Sequence, residues 1–264
     1  MRRRTLLTGA GAVAAAGAVV AAGGYARSRM TAAEPVIPDA PVGDERLVKH
    51  KSRARGRTVD FYTAVPEGHG DGQGLPVCLV LHGGSKVAAD FPGMGLGRFV
   101  TDSVRRGNPP FVLVGATGDR LAWRPNGDDD PQKMVHEEIP RWCEDLGFAT
   151  ESFGALGWSM GGYGALLLAE RFPGFVSTVA ALSPAVSAGD DVFVQAGTLR
   201  EVPVGLWCGE DDGFLDHVKA LQEVLPLVTA TYADGRHNYG YWSTCLPAAF
   251  DLIARNLSRS APVL

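Results

Sequence analysis

The sequence predicts an α/β fold: a mostly parallel, doubly wound sheet with helices on both faces and a minimal cap. Three observations carry this prediction. Short apolar runs alternate with helix-spaced runs along most of the chain. Gly157-Trp158-Ser159-Met160-Gly161 lies between an apolar run at 153–156 and a helix-like run at 163–172, the setting of a tight strand-to-helix turn. And 264 residues that are 45% hydrophobic suffice for one sizeable core.

The elements follow in order. Residues 46–53 and 57–65 read as a hairpin around Gly56, charged enough to sit near a sheet edge. Residues 77–81 form a continuous apolar run, as in a buried parallel strand, and end in His82-Gly83-Gly84-Ser85. A helix is expected over 97–106 and a buried strand over 111–116. Residues 134–146 have helical spacing, with Met134, Ile139, Trp142 and Leu146 apolar. After the glycine-flanked serine and its helix come apolar strands at 175–182, 202–208 and 227–232. Residues 214–225 and 242–257 read as helices. Only residues 185–200 separate two of these strands, too few for a large lid.

The amino terminus reads differently. Arg2-Arg3-Arg4-Thr5-Leu6-Leu7 precedes a weakly apolar Ala/Gly/Val run, and Arg3 to Leu7 resembles a twin-arginine export signal. Residues 1–33 are therefore expected to be a signal, with cleavage after Ala26 or Ala33. Residues 34–43 are expected to be a proline-rich tether, and 44–264 the folded domain. The protein is expected to be exported, with membrane contact only through an uncleaved signal. The net charge is −4; loss of Arg2, Arg3, Arg4, Arg27 and Arg29 would take it to about −9, which favours solubility. No basic face or phosphate-cradling motif is present, so nucleic acid is not an expected partner. No cofactor is expected. Asp128-Asp129-Asp130 reads as a solvated acidic turn rather than a calcium loop. His136-Glu137-Glu138 lacks the second histidine of a zinc helix. Cys78 and Cys208 lie in apolar runs, as buried thiols do. A disulfide is allowed but not implied, Cys143–Cys245 being the pair to consider.

Chemistry centres on Ser159. With 34 glycines in the chain, a G-x-S-x-G match alone is weak, so its partners decide. A serine hydroxyl needs a base, and the base needs an acid to hold its tautomer. Gly209-Glu210-Asp211-Asp212 follows one late apolar strand, and Asp234-Gly235-Arg236-His237 follows the last. Acid and base thus lie at strand ends, in the order Ser, Asp, His. Asp212 is the expected acid, because Gly-x-x-Asp sets its carboxylate past the turn. Asp211 is the alternative; Glu210 and Asp216 are more remote. Amides of Gly84 and Met160 are the expected oxyanion donors, with Ser85 next. His82 reads as structural. Ser85, Trp123, Tyr163 and Tyr241 are candidate pocket lining; Tyr239 and Trp242 are also in view, with core packing the competing role for each aromatic.

Taken together, several segments resemble the Putative esterase family of α/β-hydrolases over residues 75–256. They are Leu81-His82-Gly83-Gly84, Glu138-Ile139-Pro140, Gly157 to Ala165, Leu182-Ser183-Pro184, Gly209 to Asp212, and His237-Asn238-Tyr239-Gly240-Tyr241-Trp242. The family includes feruloyl and acetylxylan esterases, esterase D, enterochelin esterases and actinobacterial mycolyltransferases. The resemblance implies the α/β-hydrolase fold and Ser159, Asp212 and His237 as the triad, in an exported, actinobacterial-type member. His82-Gly83-Gly84 and Gly161 depart from the mycolyltransferase pattern and resemble the hydrolytic branches. The expected activity is serine-esterase hydrolysis of an ester carried by a small molecule, a polysaccharide or the cell envelope. Acyl transfer to an alcohol and a catalytically silent binding protein are the alternatives.

Overall fold

The computed structural model describes residues 33–260. The expected export signal falls outside them apart from Ala33. Eight strands form one sheet: β1 (Glu45–Ser52), β2 (Arg57–Ala64), β3 (Pro76–Leu81), β4 (Val112–Ala116), β5 (Ala149–Trp158), β6 (Val176–Leu182), β7 (Val204–Gly209) and β8 (Val228–Ala233). Their spatial order is β1-β2-β4-β3-β5-β6-β7-β8. The β1–β2 and β2–β4 pairings are antiparallel, and every other pairing is parallel. This is the mostly parallel sheet the sequence predicts.

Successive side chains of a strand point to opposite faces, and the sheet fills two cores this way. Val77, Leu79 and Leu81 enter one; Cys78 and Val80 enter the other. Helices α1 (Leu96–Arg105) and α6 (Tyr239–Ser260) cover the second face. The first is covered by α2 (Ile139–Asp145), α3 (Met160–Arg171), α4 (Asp191–Val194) and α5 (Leu215–Val224). Ten of the twelve residues of α3 are buried, which suits a helix that is apolar nearly all round. No helix among the described residues is long and apolar enough to cross a membrane.

Four elements differ from their sequence expectation. The helix expected from 134 begins at Pro131, where the Asp130 side chain accepts the Lys133 N–H as a cap. It passes through a π-helical stretch, Met134–Glu138, before α2. Strand β5 starts at Ala149, because polar Thr150, Glu151 and Ser152 extend it beyond the apolar run. Strand β8 is an edge strand with alternating half-buried and exposed residues, rather than a fully buried one. The proline-rich segment 34–43 has no regular secondary structure but is docked. The Val36 N–H donates to Ser243 Oγ at 2.9 Å, Arg98 donates to the Ala40 carbonyl at 2.9 Å, and Ala40 is buried.

All four cysteines are free and buried. The acidic turn is partly ordered by ion pairs: Asp129 pairs with Arg55 and Arg57. Among the described residues, no cluster of three or more His, Cys, Asp or Glu side chains could hold a metal.

Candidate active site

Ser159 occupies the turn between β5 and α3 with φ 55° and ψ −123°. A non-glycine residue reaches this region only when its surroundings hold it there. Two glycines make the turn possible. A Cβ added at Gly157 would collide with the Gly161 carbonyl, and one at Gly161 would collide with the carbonyl oxygen of Leu81. The Ser159 N–H donates to the Leu182 carbonyl at 2.9 Å, while the Ser159 carbonyl accepts from Ala185 and Tyr163. The side chain is thereby left free to face the strand ends.

There it meets the two other residues expected from the sequence. His237 Nε2 lies 2.8 Å from Ser159 Oγ. His237 Nδ1 lies 2.9 Å from Asp212 Oδ2 and 3.1 Å from Oδ1. The imidazole stands between two rings: Phe214 at 5.1 Å, and Trp242 at 5.0 Å with perpendicular planes. The Asp212 side chain has no solvent exposure, and its Oδ1 also accepts the Phe214 N–H at 2.9 Å. Burial alone would push its carboxyl up, but His237 beside it, the Phe214 amide and the Ser183 hydroxyl hold it below the usual carboxylate range. Asp211 is exposed and lies beside Arg236 instead. Glu210 and Asp216 are likewise exposed.

The loop after β3 lies against the same turn. A Cβ added at Gly84 would touch only Met160 Sδ, at 3.7 Å. Met160 opens α3, where amides lack intrahelical acceptors. Ser85 is exposed at the rim. His82 is buried; Gly118 N–H donates to its Nε2 at 2.8 Å, so its Nδ1 carries the proton to the Gly83 carbonyl at 2.9 Å. Burial keeps its pKa below the ordinary value. It is a neutral brace for the glycine loop.

The aromatic candidates divide. Trp123 and Tyr241 are core residues and do not line an open pocket. Trp123 has no exposure, packs where Gly118 and Gly164 leave room, and donates Nε1–H to the His82 carbonyl at 3.1 Å. Tyr241 is buried against Gly235. Tyr163 is buried too, but its hydroxyl reaches outward to Arg124 Nε at 2.6 Å. The Arg124 guanidinium lies over the Tyr163 ring at 4.9 Å and approaches Asp190 and Asp191 at 3.7 and 3.5 Å. It links the loop after β4 to the short cap that carries α4. Nothing in its spacing marks it in the sequence. The 185–200 segment adds only α4 and one 3-10 turn, Ala196–Leu199. A groove of about 640 Å³ lined by Pro110, Phe148 and Leu257 lies at the opposite, amino ends of β3, β4 and β5 and holds none of these groups.

The family model described as Putative esterase matches residues 52–225, a span that contains Ser159 and Asp212 and ends before His237. No curated protein matches the chain in sequence. Among solved structures, a ferulic acid esterase superposes with a TM-score of 0.70 at 18% identity, covering 83% of this chain and 99% of its own. A ferulic acid esterase from Anaeromyces mucronatus in complex with ferulic acid gives 0.67 at 15%, covering 84% and 93%. An S-formylglutathione hydrolase from Staphylococcus aureus gives 0.64 at 15%, covering 80% and 100%. At these identities the structural likeness carries the fold, and the family match carries the class. The chain belongs to the Putative esterase family: it is a carboxylic ester hydrolase on the α/β-hydrolase fold.

Proposed function

We propose that the protein is an exported serine esterase that works through an acyl-enzyme on Ser159. The observation that carries this reading is the unbroken chain from Ser159 Oγ to His237 Nε2 at 2.8 Å and from His237 Nδ1 to Asp212 at 2.9 Å. Ser159 Oγ attacks the ester carbonyl as its proton passes to His237 Nε2. Amides of Gly84 and Met160 hold the oxyanion. Collapse expels the alcohol, which takes the proton from His237, and leaves the acyl group on Ser159. Water, deprotonated by the same imidazole, then releases the acid and restores the serine. Asp212 keeps the Nδ1–H tautomer and balances the imidazolium charge.

The short cap favours a site open enough for an ester attached to a larger alcohol, such as a polysaccharide or cell-envelope component. The same openness supports a second reading, in which an alcohol takes the place of water and the acyl group is transferred. Export by the twin-arginine route rests on Arg3-Arg4-Thr5-Leu6-Leu7.

Turnover of short p-nitrophenyl esters and fluorophosphonate labelling test the reading together. The parent should do both and Ser159→Ala neither. Turnover that survives in Ser159→Ala sinks the mechanism, and a parent that fails to label favours a silent binding protein. Product analysis with an added alcohol separates transfer from hydrolysis.

A further inference from the structure

Residues 34–43, which the sequence presents as a tether, are seated against the helix that follows His237. That helix, α6, begins at Tyr239, two residues past the imidazole. We propose that the segment is a strap, and that Ser243 is the positioning residue through which it holds the first turn of α6 and keeps His237 in line with Ser159. The catalytic consequence rests on the serine-esterase reading.

Ser243 is buried, and its hydroxyl joins two backbones. Its Oγ accepts the Val36 N–H at 2.9 Å and donates to the Gly240 carbonyl at 2.8 Å. A hydroxyl has one hydrogen to give, so the strap is on its accepting side and α6 on its donating side. The same turn is closed by Asn238, the residue after His237. Its Oδ1 accepts the Tyr241 N–H at 3.1 Å, as an N-cap does, and its carbonyl accepts the Trp242 N–H at 3.1 Å. Trp242 then sets its ring perpendicular to the imidazole at 5.0 Å. The path from Val36 to His237 therefore runs through hydrogen bonds, one helical turn and one ring contact.

The strap is fitted along its length. A Cβ added at Gly240 would collide with the Ala33 carbonyl oxygen, so α6 forgoes a better helix former where the chain passes. Ile37 lies over Gly95 just ahead of α1, and Arg98 of α1 donates to the Ala40 carbonyl at 2.9 Å. The Tyr239 hydroxyl donates to the Met94 carbonyl, which ties the start of α6 to the same loop. Burial of apolar side chains does not account for this seat at Val36, which is 61% exposed while its amide is bonded to Ser243. The polar contact fixes the strap there.

The test uses Val36→Pro, Ser243→Ala and the double variant in the full chain. Val36→Pro deletes the donated N–H and alters no buried side chain; Ser243→Ala deletes the hydroxyl. Urea melts set conditions in which all variants are folded, so lost stability alone leaves kcat and KM unmoved. With p-nitrophenyl acetate, each single variant should lower kcat by about 3- to 10-fold, the range of one neutral hydrogen bond. KM should stay near the parent's, because the imidazole acts in the transition state. The double variant should match Ser243→Ala, since both changes break one link. The low-field Nδ1–H proton resonance of His237 should be sharp in the parent and in Ser159→Ala, and exchange-broadened in both strap variants. A sharp resonance in Val36→Pro, or a kcat there equal to the parent's, overturns the proposal. An effect confined to Ser243→Ala overturns it too, because the bond to Gly240 would then set the turn without the strap. The resonance does not depend on turnover. Full hydrolysis by Ser159→Ala would therefore reject the esterase reading while the resonance still decides whether the strap holds His237.

Discussion

His237 Nδ1 and the Asp212 carboxylate are joined at 2.9 Å across a contact whose acid side is closed to solvent. The neighbouring Asp211 turns its carboxylate outward, with 71% of its side-chain surface exposed. One residue of register thus separates an acid that can orient the imidazole from one that cannot. Asp212→Asn should lower kcat by up to ~10⁴-fold, because the amide stabilises the wrong imidazole tautomer. Asp211→Asn should leave kcat within a few-fold of the parent. Steady-state kinetics on one short ester decides between them, and the reverse pattern would reassign the acid.

The serine turn depends as strongly on what is missing at position 161. A methyl group there would collide with the Leu81 carbonyl oxygen, a backbone atom that cannot swing away. Gly161→Ala should therefore cost about 3 kcal/mol, the upper end of the overpacking range. It should also pull the β3 loop away from Ser159, so activity falls further than stability alone explains. At Gly162 the nearest atom would be Pro184 Cα at 3.1 Å, a contact that small shifts relieve. Gly162→Ala should be the milder variant, and urea melts with parallel activity assays rank the two.

Much of this site is legible in the sequence because each signal is local. Gly157-Trp158-Ser159-Met160-Gly161 specifies its own turn, and Asp212 and His237 follow apolar runs whose length marks them as strands. What is not legible depends on neighbours distant along the chain. The buried hydrogen bond from Trp242 to Ser183 joins residues 59 apart. Arg124 meets Tyr163 39 residues on. Trp123 reads as pocket lining by type, yet glycines at 118 and 164 make the cavity that buries it. Strand β8 reads as apolar, but its edge position leaves every second residue exposed.

A buried cation explains how the loop after β4 keeps its shape. Asp119, Ala122 and Trp123 all have positive φ, from 50° to 54°, a strained set for non-glycine residues. The loop is anchored from the β1–β2 turn by Arg55, whose side chain is fully buried. Its guanidinium donates to Asp129, to the Thr117 carbonyl at 2.6 Å and to Asp119 at 2.8 Å. Arg57 still pairs with Asp119 and Asp129, so removing Arg55 chiefly strips the buried Thr117 carbonyl of its donor. Arg55→Met should destabilise by about 1–3 kcal/mol. Replacing Asp119, whose side chain is 43% exposed, should cost much less. Chemical denaturation of both variants checks the ranking, and a loss below 1 kcal/mol in Arg55→Met would show that Trp123 packing alone holds the loop.

Glu170 gives the fold a pH dependence of opposite sign to that of Asp212. It lies in α3, is 3% exposed, and neither carboxylate oxygen has a hydrogen-bond partner among the described residues. Burial first, and the charge of Asp191 second, push its pKa to about 8. The folded protein therefore holds a proton on Glu170 that the unfolded chain releases near the ordinary glutamate value. Its contribution is fully present at pH 4 and is lost as pH rises toward 8, at about 1.4 kcal/mol per pH unit. Above 8 both states are ionised and the loss levels off. Asp212, held down in the fold, contributes stability that is instead lost in acid. Glu170→Gln keeps the shape without the charge, so its melting temperature should match the parent near pH 5 and exceed it progressively up to pH 8. A difference that does not change with pH would mean that Glu170 is ionised in the folded state.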